Sequence, residues 1–275
     1  MPSYAKLNNK AINFNYSSSN EVTGEFNIHS HSIFEVYYFI EGDVDYLVEG
    51  KQYRPTPYSL LLLSPHVFHG VRVNSEKNYR RYVLHFHPDI INLDYRSLLL
   101  SAFPSTKKYS NREVYYENTS QFKLHPFFEA LSDCSKQPDE VAAKLFPIYI
   151  EALLSQLTIM CRTLQPVENG KTISQTISNV ITYLNENLNE RITLDDLSEH
   201  FYISKNYLNR AFRKATGTTV LDYLIYKRVI YAQQLLLNGY TASEAAIRSG
   251  FSDYSSFFRA YQKITGHSPH IDMRK

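Results

Sequence analysis

Tryptophan is absent from these 275 residues, methionine occurs three times and cysteine only twice. Cys134 and Cys161 share no metal-ligand spacing. Neither a disulfide framework nor a thiolate metal site is implied, and a reducing compartment is the simpler setting. Long apolar runs are missing too. The longest aliphatic run, Leu60 to Leu63, falls far short of the roughly 20 residues a membrane-spanning helix needs. The opening MPSYAKLNNK lacks the apolar core of a signal peptide. A soluble, cytoplasmic protein with no membrane partner is expected. A strong net charge is also lacking, at +2. The charge is unevenly spread, with thirteen Lys/Arg against nine Asp/Glu from Gly170 onward and sixteen against eighteen before it. A near-neutral or acidic domain followed by a basic one fits a sensor joined to a polyanion binder. With 43% hydrophobic and 14% aromatic residues, the chain can build globular cores, and its length suggests two domains.

The basic region contains one supersecondary unit twice, at 193–217 and 241–266. Thr193 and Thr241 are 48 apart while Gly217 and Gly266 are 49 apart, so the copies differ by one inserted residue. In the first, Thr193 and Asp196 fit a capping box, Ser204 can cap the next helix and Gly217 can stop it. Leu208, Ala211, Phe212 and Ala215 fall on one side of that helix. Asn206, Asn209, Arg210, Arg213 and Lys214, with Lys205 in the first turn, fall on the other. Arg can bond guanine bidentately, Asn adenine, and Lys can hold phosphate. A solvated face has the same composition, but its place as second helix of a helix-turn-helix favours DNA. In the second copy Thr241 and Glu244 form the box, Ser252 or Asp253 caps, and Tyr254, Ser255 and Arg259 face outward. Val220 to Asn238 reads as one connecting helix. At 1.5 Å per residue it is about 28 Å long. With the width of the flanking units added, both readers could reach successive major grooves.

The N-terminal part shows another pattern. Residues 1 to about 25 are polar and suggest an arm or loose edge strand. From Phe26 to Pro88, β-branched and aromatic runs such as FEVYYFI (Phe34 to Ile40) and RYVLHFH (Arg81 to His87) are broken by turn signals. Short strands so spaced indicate a sandwich or small barrel. His29, His31, His66, His69, His85 and His87 cluster here, and the stretch His29 to Gly42 resembles the first motif of the cupin barrel. Residues two apart on a strand share a face, so His29 and His31 could enter one interior with Glu35 and His69. Such a set suits Zn, Fe, Mn or Ni, or a small polar ligand without metal. The second cupin motif around His69 is degraded, lacking the glycine before the histidine, which favours the metal-free pocket. Tyr37 and Phe39 share Glu35's face and could stack on a ligand or form core.

Residues 89–124 carry little signal. From 125 to 164 helices take over, with Pro138, Asp139 and Glu140 as a start signal. Val141, Leu145, Ile148, Leu153, Leu154, Leu157 and Met160 form an apolar stripe. Pro147 should kink or split that helix. The stripe packs on the barrel, on a second copy, or on both. Gln165 to Thr172 is the clearest linker.

The C-terminal stretch closely resembles the DNA-binding domain of the AraC family of bacterial transcription regulators. The resemblance is carried by Ser204, Tyr207, Leu208, Arg210, Phe212, Gly217, Tyr223, Arg228, Ala232, Leu235, Leu236, Glu244, Ala246, the run Gly250-Phe251-Ser252-Asp253, Phe257, Arg259, Gly266 and Pro269. The family usually places an Arg four residues after the proline, whereas Arg274 lies five after Pro269. The resemblance implies an α+β multidomain protein: a cupin-like ligand-sensing barrel (1–124), a helical dimerisation segment (125–164), a linker (165–172) and an all-α domain with two helix-turn-helix units (173–275). It implies a ligand-responsive regulator, often an activator of carbohydrate uptake or catabolic genes, acting as a homodimer on double-stranded DNA and touching RNA polymerase. No cofactor, metal or catalytic residue is expected. Two rival readings are a metal-dependent cupin enzyme with an accessory helical domain and a constitutive dimeric regulator.

Overall fold

The computed structural model describes residues 3–9, 11–104, 114–167, 171–172 and 174–273. The chain divides into two compact units, Met1–Lys171 and Thr172–Lys275. Of the stretch expected to be a linker, residues 168–170 lie outside the described residues, and Lys171–Thr172 form a two-residue strand.

The first unit is built on two antiparallel sheets. One orders its strands β1 (Ser3–Asn8), β2 (Ile12–Ser19), β8 (Tyr79–Phe86), β3 (Phe34–Glu41), β6 (Leu60–Leu63) and β9 (Tyr115–Tyr116). The other includes β5 (Lys51–Tyr53), β4 (Val44–Val48) and β7 (His69–Val73), adjacent in that order. Strand periodicity sorts the side chains. Val36, Tyr38, Ile40, Leu60, Leu62, Tyr82, Leu84 and Phe86 join a core shared with the helices of this unit. Tyr37, Phe39, Leu61, Leu63, Tyr79, Tyr46 and Val73 join a second core between the sheets. Both faces of the larger sheet are therefore covered, which is why β6 is an unbroken run of leucines.

The N-terminal segment is not a loose arm. β2 pairs with β8 over its full length, Ile12 to Ser19 against Phe86 to Tyr79. Phe14 is fully buried and packs edge-on against Phe146. The alternation Ile12, Phe14, Tyr16 carries the strand, and the intervening Asn and Ser residues mask it in composition. Of these two strands only β1 lies at the sheet edge.

Three helices cover the larger sheet: α1 (Leu93–Leu100), α2 (His125–Cys134) and α3 (Asp139–Thr163). α3 runs through Pro147 as a single helix rather than splitting there. Its buried face is Ala142, Phe146, Ile150, Leu153, Leu154, Leu157 and Met160. Val141, Leu145 and Ile148, expected on the packed stripe, are 42%, 37% and 60% exposed instead. The apolar positions wrap most of the helix, and Phe146 and Ile150, absent from the expected stripe, set which side meets the sheet. By length and composition α3 could cross a membrane, a property that a search for aliphatic runs overlooks. With Thr158, eight of its positions are buried within this unit.

The second unit contains α4 (Gln175–Glu186), α5 (Leu194–His200), α6 (Lys205–Thr216), α7 (Val220–Leu237), α8 (Ala242–Arg248), α9 (Tyr254–Thr265) and α10 (Pro269–Asp272). Both capping boxes form, Thr193 with Asp196 and Thr241 with Glu244. Gly217 and Gly266 end α6 and α9 at φ 75° and 79°, a conformation open to glycine without a Cβ clash. The inserted residue lies in the second turn. Tyr202 and Gly250, each nine residues after the capping threonine, both have positive φ. The next cap then comes two residues later at Ser204 but three later at Asp253. Arg274 lies outside the described residues.

Candidate functional site

Four side chains converge from the strands into one end of the first unit. Glu35 stands opposite His85 in the β3–β8 register, and both point between the sheets, on the side of Tyr37 and Val83. His69 opens β7 on the same inner face as Val71 and Val73. Tyr46, on β4, donates its hydroxyl to Glu35 Oε1 at 3.0 Å. The segment before β3 brings His29 and His31 over this group, and His29 forms an isolated antiparallel bridge with His69. His31 Nε2 and His85 Nε2 lie 2.9 and 3.0 Å from Glu35 Oε2. His69 Nε2 is also 2.9 Å from that oxygen. It sits off the line of a hydrogen bond, so this buried nitrogen has no hydrogen-bond partner among the described residues.

Of the expected ligand residues, His29, His31, Glu35 and His69 are therefore brought together. Tyr37 is not at the open end. It is 2% exposed, its hydroxyl meets that of Tyr79 at 2.9 Å, and its ring lies 4.6 Å from the Tyr46 ring. The second core fills the space a stacking ligand would need. His85 and Tyr46 belong to the group; sequence reasoning counted His85 among the clustered histidines without placing it in the site, and missed Tyr46. The signal was parity: His85 is even with Val83 on the inner face of β8, but only the cross-strand register places it beside Glu35.

Burial by itself would push the Glu35 carboxyl up, yet the facing His69 and the contacts from His31 and His85 hold it well below the usual carboxylate range. Burial likewise works to lower His69, but the Glu35 charge outweighs it and raises the imidazole. His29, half out of the group, is lowered by its own burial and then by His69. Tyr46 is raised by burial and by the neighbouring Glu35 charge.

Gly70 makes this arrangement possible. A Cβ there would sit 2.5 Å from Asn27 O and 2.8 Å from Asn27 C, both backbone atoms of the segment that carries His29. We expect Gly70→Ala to cost about 1–3 kcal/mol by overpacking and to lift residues 27–31 off β7. A thermal melt of the variant within 1 °C of the parent would contradict this.

In the second unit, α6 separates its faces cleanly. Leu208, Phe212 and Ala215 are buried, while Lys205, Asn206, Arg210, Arg213 and Lys214 are exposed and Asn209 is half-buried. Ser204 caps the helix by accepting from Tyr207 N at 3.2 Å. Asn206, Asn209, Arg210 and Arg213 line one open cleft with Leu194, Thr219 and Leu221. Lys205 Nζ is engaged by the Asp195 carboxylate, so its charge is partly neutralised. On α9, Tyr254, Ser255 and Arg259 are exposed opposite buried Phe257 and Tyr261. Arg259 Nη2 donates to Ser256 Oγ at 3.4 Å.

Comparison with known families bears on both units. Residues 16–158 match the AraC-like ligand binding domain, and residues 197–274 match a helix-turn-helix domain. The chain belongs to the AraC family. It combines a unit of the ligand-binding type with a helix-turn-helix unit, in a mixed α+β architecture. Among its relatives is the transcriptional regulatory protein HptR of Staphylococcus aureus strain NCTC 8325, 30% identical over 93 residues, which are 34% of this chain and 37% of HptR. This AraC-family chain thus aligns with little more than a third of that relative's length. The uncharacterized HTH-type transcriptional regulator YbfI of Bacillus subtilis strain 168 is 25% identical over 234 residues, 84% of this chain and 81% of YbfI. Among solved structures, the DNA-binding domain of AdpA in complex with a target DNA is 30% identical with a TM-score of 0.36, covering 37% of this chain and 92% of that one.

Proposed function

We propose that this protein is a cytoplasmic, homodimeric, ligand-controlled regulator that reads DNA with α6 and α9 and activates uptake or catabolic genes by contact with RNA polymerase. The observation that carries the DNA-reading role is the exposed Asn206–Arg210–Arg213 face on the second helix of a doubly capped helix-turn-helix. The family it belongs to supports a regulator over an enzyme. The sugar suggested by the resemblance finds no stacking platform, because Tyr37 lies in the core. The effector instead belongs at the histidine group. Selection of duplexes from a random-sequence pool tests the reading: it predicts enrichment of a motif with two related half-sites, bound with an affinity that falls steeply with salt. A pool that stays random would reject it.

The dimer is supported by the outer face of α3. Val141, Leu145, Ile148, Ala152, Ser155 and Ile159 are all exposed and follow steps of four and three, the spacing of a helix-pairing seam. Leu93 and Tyr95 of α1 border the same side beside Ile148, 75% and 37% exposed. A second copy would cover this seam. Ile148→Glu is expected to shift the sedimentation coefficient from dimer to monomer and to weaken binding to a two-half-site duplex at least tenfold. An unchanged sedimentation coefficient would place the interface elsewhere.

A further inference from the structure

We propose that the inner face of β1, β2 and β8 binds a small organic anion, a carboxylate or a phosphate, and that this anion is the effector. The inference rests on the reading of the protein as a ligand-controlled regulator and names the chemistry of its ligand.

β2 has two unlike faces. Ile12, Phe14 and Tyr16 pack with the helices of this unit. The alternate positions, Asn13, Asn15, Ser17 and Ser19, are polar without exception and point the other way. The paired strands continue this face. Register sets Asn13 beside His85, Asn15 beside Val83 and Ser17 beside Arg81. On the other side of β2, Lys6 stands beside Asn15, and its neighbours Ala5 and Leu7 turn toward the helices. Lys6, Asn13, Asn15, Ser17, Arg81 and His85 thus share one surface. It runs from exposed at Lys6, through half-buried at Asn13, Asn15 and Arg81, to buried at Ser17. One strand further on, the same face is apolar, and Tyr37 and Phe39 join the core between the sheets. A polar row beside that core is stable only with water or a polar ligand against it.

Charge selects the occupant. β1, β2 and β8 contain no aspartate or glutamate, while Lys6 and Arg81 place two cations on this surface. Glu35 lies at the far end of the row, opposite His85, with its charge engaged by the histidines. The Arg81 guanidinium turns inward. It lies over the Tyr79 ring, 4.3 Å from the centroid, and Tyr79 is fixed by its hydroxyl contact with Tyr37. Burial raises the Tyr79 hydroxyl, and the Arg81 charge works against that rise. A guanidinium so held presents a fixed fork, which suits the paired oxygens of a carboxylate or phosphate. Ser17, beside it, is 2% exposed, and its Oγ has no hydrogen-bond partner among the described residues. A buried polar group left unpaired costs about 1–3 kcal/mol, and an anion on Arg81 would accept from this hydroxyl. Asn13 and Asn15 add amide groups for hydroxyls of the same molecule. Arg81 and His85 are four residues apart, about 13 Å along the strand. An anion with a hydroxylated chain of several carbons therefore reaches from Arg81 toward the histidine group.

The test uses the full chain at constant ionic strength. Two matched sets are titrated: glycerol, glycerate and glycerol 3-phosphate, then sorbitol, gluconate and sorbitol 6-phosphate. At least one anion is expected to bind one per chain by calorimetry and to raise the melting temperature, while the polyol of the same carbon skeleton does neither. The member of the set that binds decides between carboxylate and phosphate. Affinity for a duplex selected from the random pool should change at least fivefold with that anion. Arg81→Gln should weaken anion binding at least tenfold and Lys6→Gln at least threefold. Arg80→Gln, on the opposite face where its guanidinium pairs with Glu41 at 2.7 Å, should leave anion binding unchanged. Ser17→Ala removes the unpartnered oxygen, so its unliganded melting temperature should equal or exceed the parent's while anion affinity falls. No anion bound at millimolar concentration, polyols bound as tightly as their anions, or affinity unaltered in both Arg81→Gln and Lys6→Gln overturns the site. Stoichiometric binding with unchanged DNA affinity overturns its role as effector. A chain that binds the anion but no DNA in any state overturns the regulator reading instead.

Discussion

Gly250→Ala is expected to destabilise the helical unit by about 2–5 kcal/mol and to abolish specific DNA binding at 37 °C. Gly250 sits in the turn between α8 and α9 at φ 85°. An alanine there meets two separate costs. The left-handed conformation penalises a Cβ by about 1–2 kcal/mol. That Cβ would also lie 2.3 Å from Leu188 O and 3.0 Å from Arg228 Nε, and overpacking of this kind costs about 1–3 kcal/mol more. Neither neighbour can give way freely. Arg228 Nε donates to Leu188 O at 2.8 Å and Nη2 donates to Glu190 O at 2.5 Å, so the turn is pressed against a hydrogen-bonded lock between α7 and the loop before α5. For a unit of roughly 100 residues the loss corresponds to a drop of about 10 °C or more in melting temperature. Tyr202 is the natural control. It occupies the same place in the first copy, at φ 53°, but is 94% exposed. Tyr202→Gly relieves the backbone strain without touching any packing, and the entropy glycine loses on folding offsets much of that gain. Its melting temperature should stay within about 2 °C of the parent or rise. Calorimetry of the two variants checks the pair, and equal effects at both positions would show that the Leu188–Arg228 lock does not constrain the turn.

The contrast between these turns also marks where the sequence is legible. Capping threonines, stop glycines and helical periodicity are local, and so the helices of the second unit are readable within a few residues of their ends. The role of Gly250 is not, because Leu188 is 62 residues away and nothing local announces it. The first unit obeys the same division. Glu35 and the histidines before it stand out by composition and spacing. His85 and Tyr46 enter the group only through strand register, a non-local property fixed by which apolar faces are buried. β2 was hidden because its apolar residues Ile12, Phe14 and Tyr16 alternate with Asn and the strand ends in three buried serines. α3 has apolar residues on both sides, and composition cannot say which stripe meets the sheet; that depends on Phe146 and Ile150 fitting against Phe14 and its neighbours. Tyr37 shares Glu35's face as expected, yet the depth of the core at that level decides that it packs on Tyr46 and Tyr79.

Arg210→Ala should weaken binding to the selected duplex about 5- to 150-fold, the equivalent of one bidentate base contact of about 1–3 kcal/mol. Arg210 is exposed on α6 with Asn206 and Arg213 to either side, and no ion pair of its own is present among the described residues. Its guanidinium therefore enters a groove without first giving up a protein partner. Lys205, one turn earlier, is held by Asp195. Lys205→Ala should therefore cost several-fold less than Arg210→Ala. Lys214 lies at the far end of the helix, where a phosphate contact is expected: its loss should weaken all duplexes alike and reduce the salt slope by about one unit. Arg259 matches Arg210 in the second copy, but its neighbours Tyr254 and Ser255 carry no charge and its Nη2 already donates to Ser256. Arg259→Ala should fall at the lower end of the same range. The decisive readout is specificity. If Arg210 reads a base, repeating the selection with Arg210→Ala should lose the preference at one position per half-site and keep the rest of the motif. A uniform loss across all sequences would make Arg210 a phosphate contact, and unchanged affinity would remove α6 from the groove and with it the DNA-reading role proposed for this face.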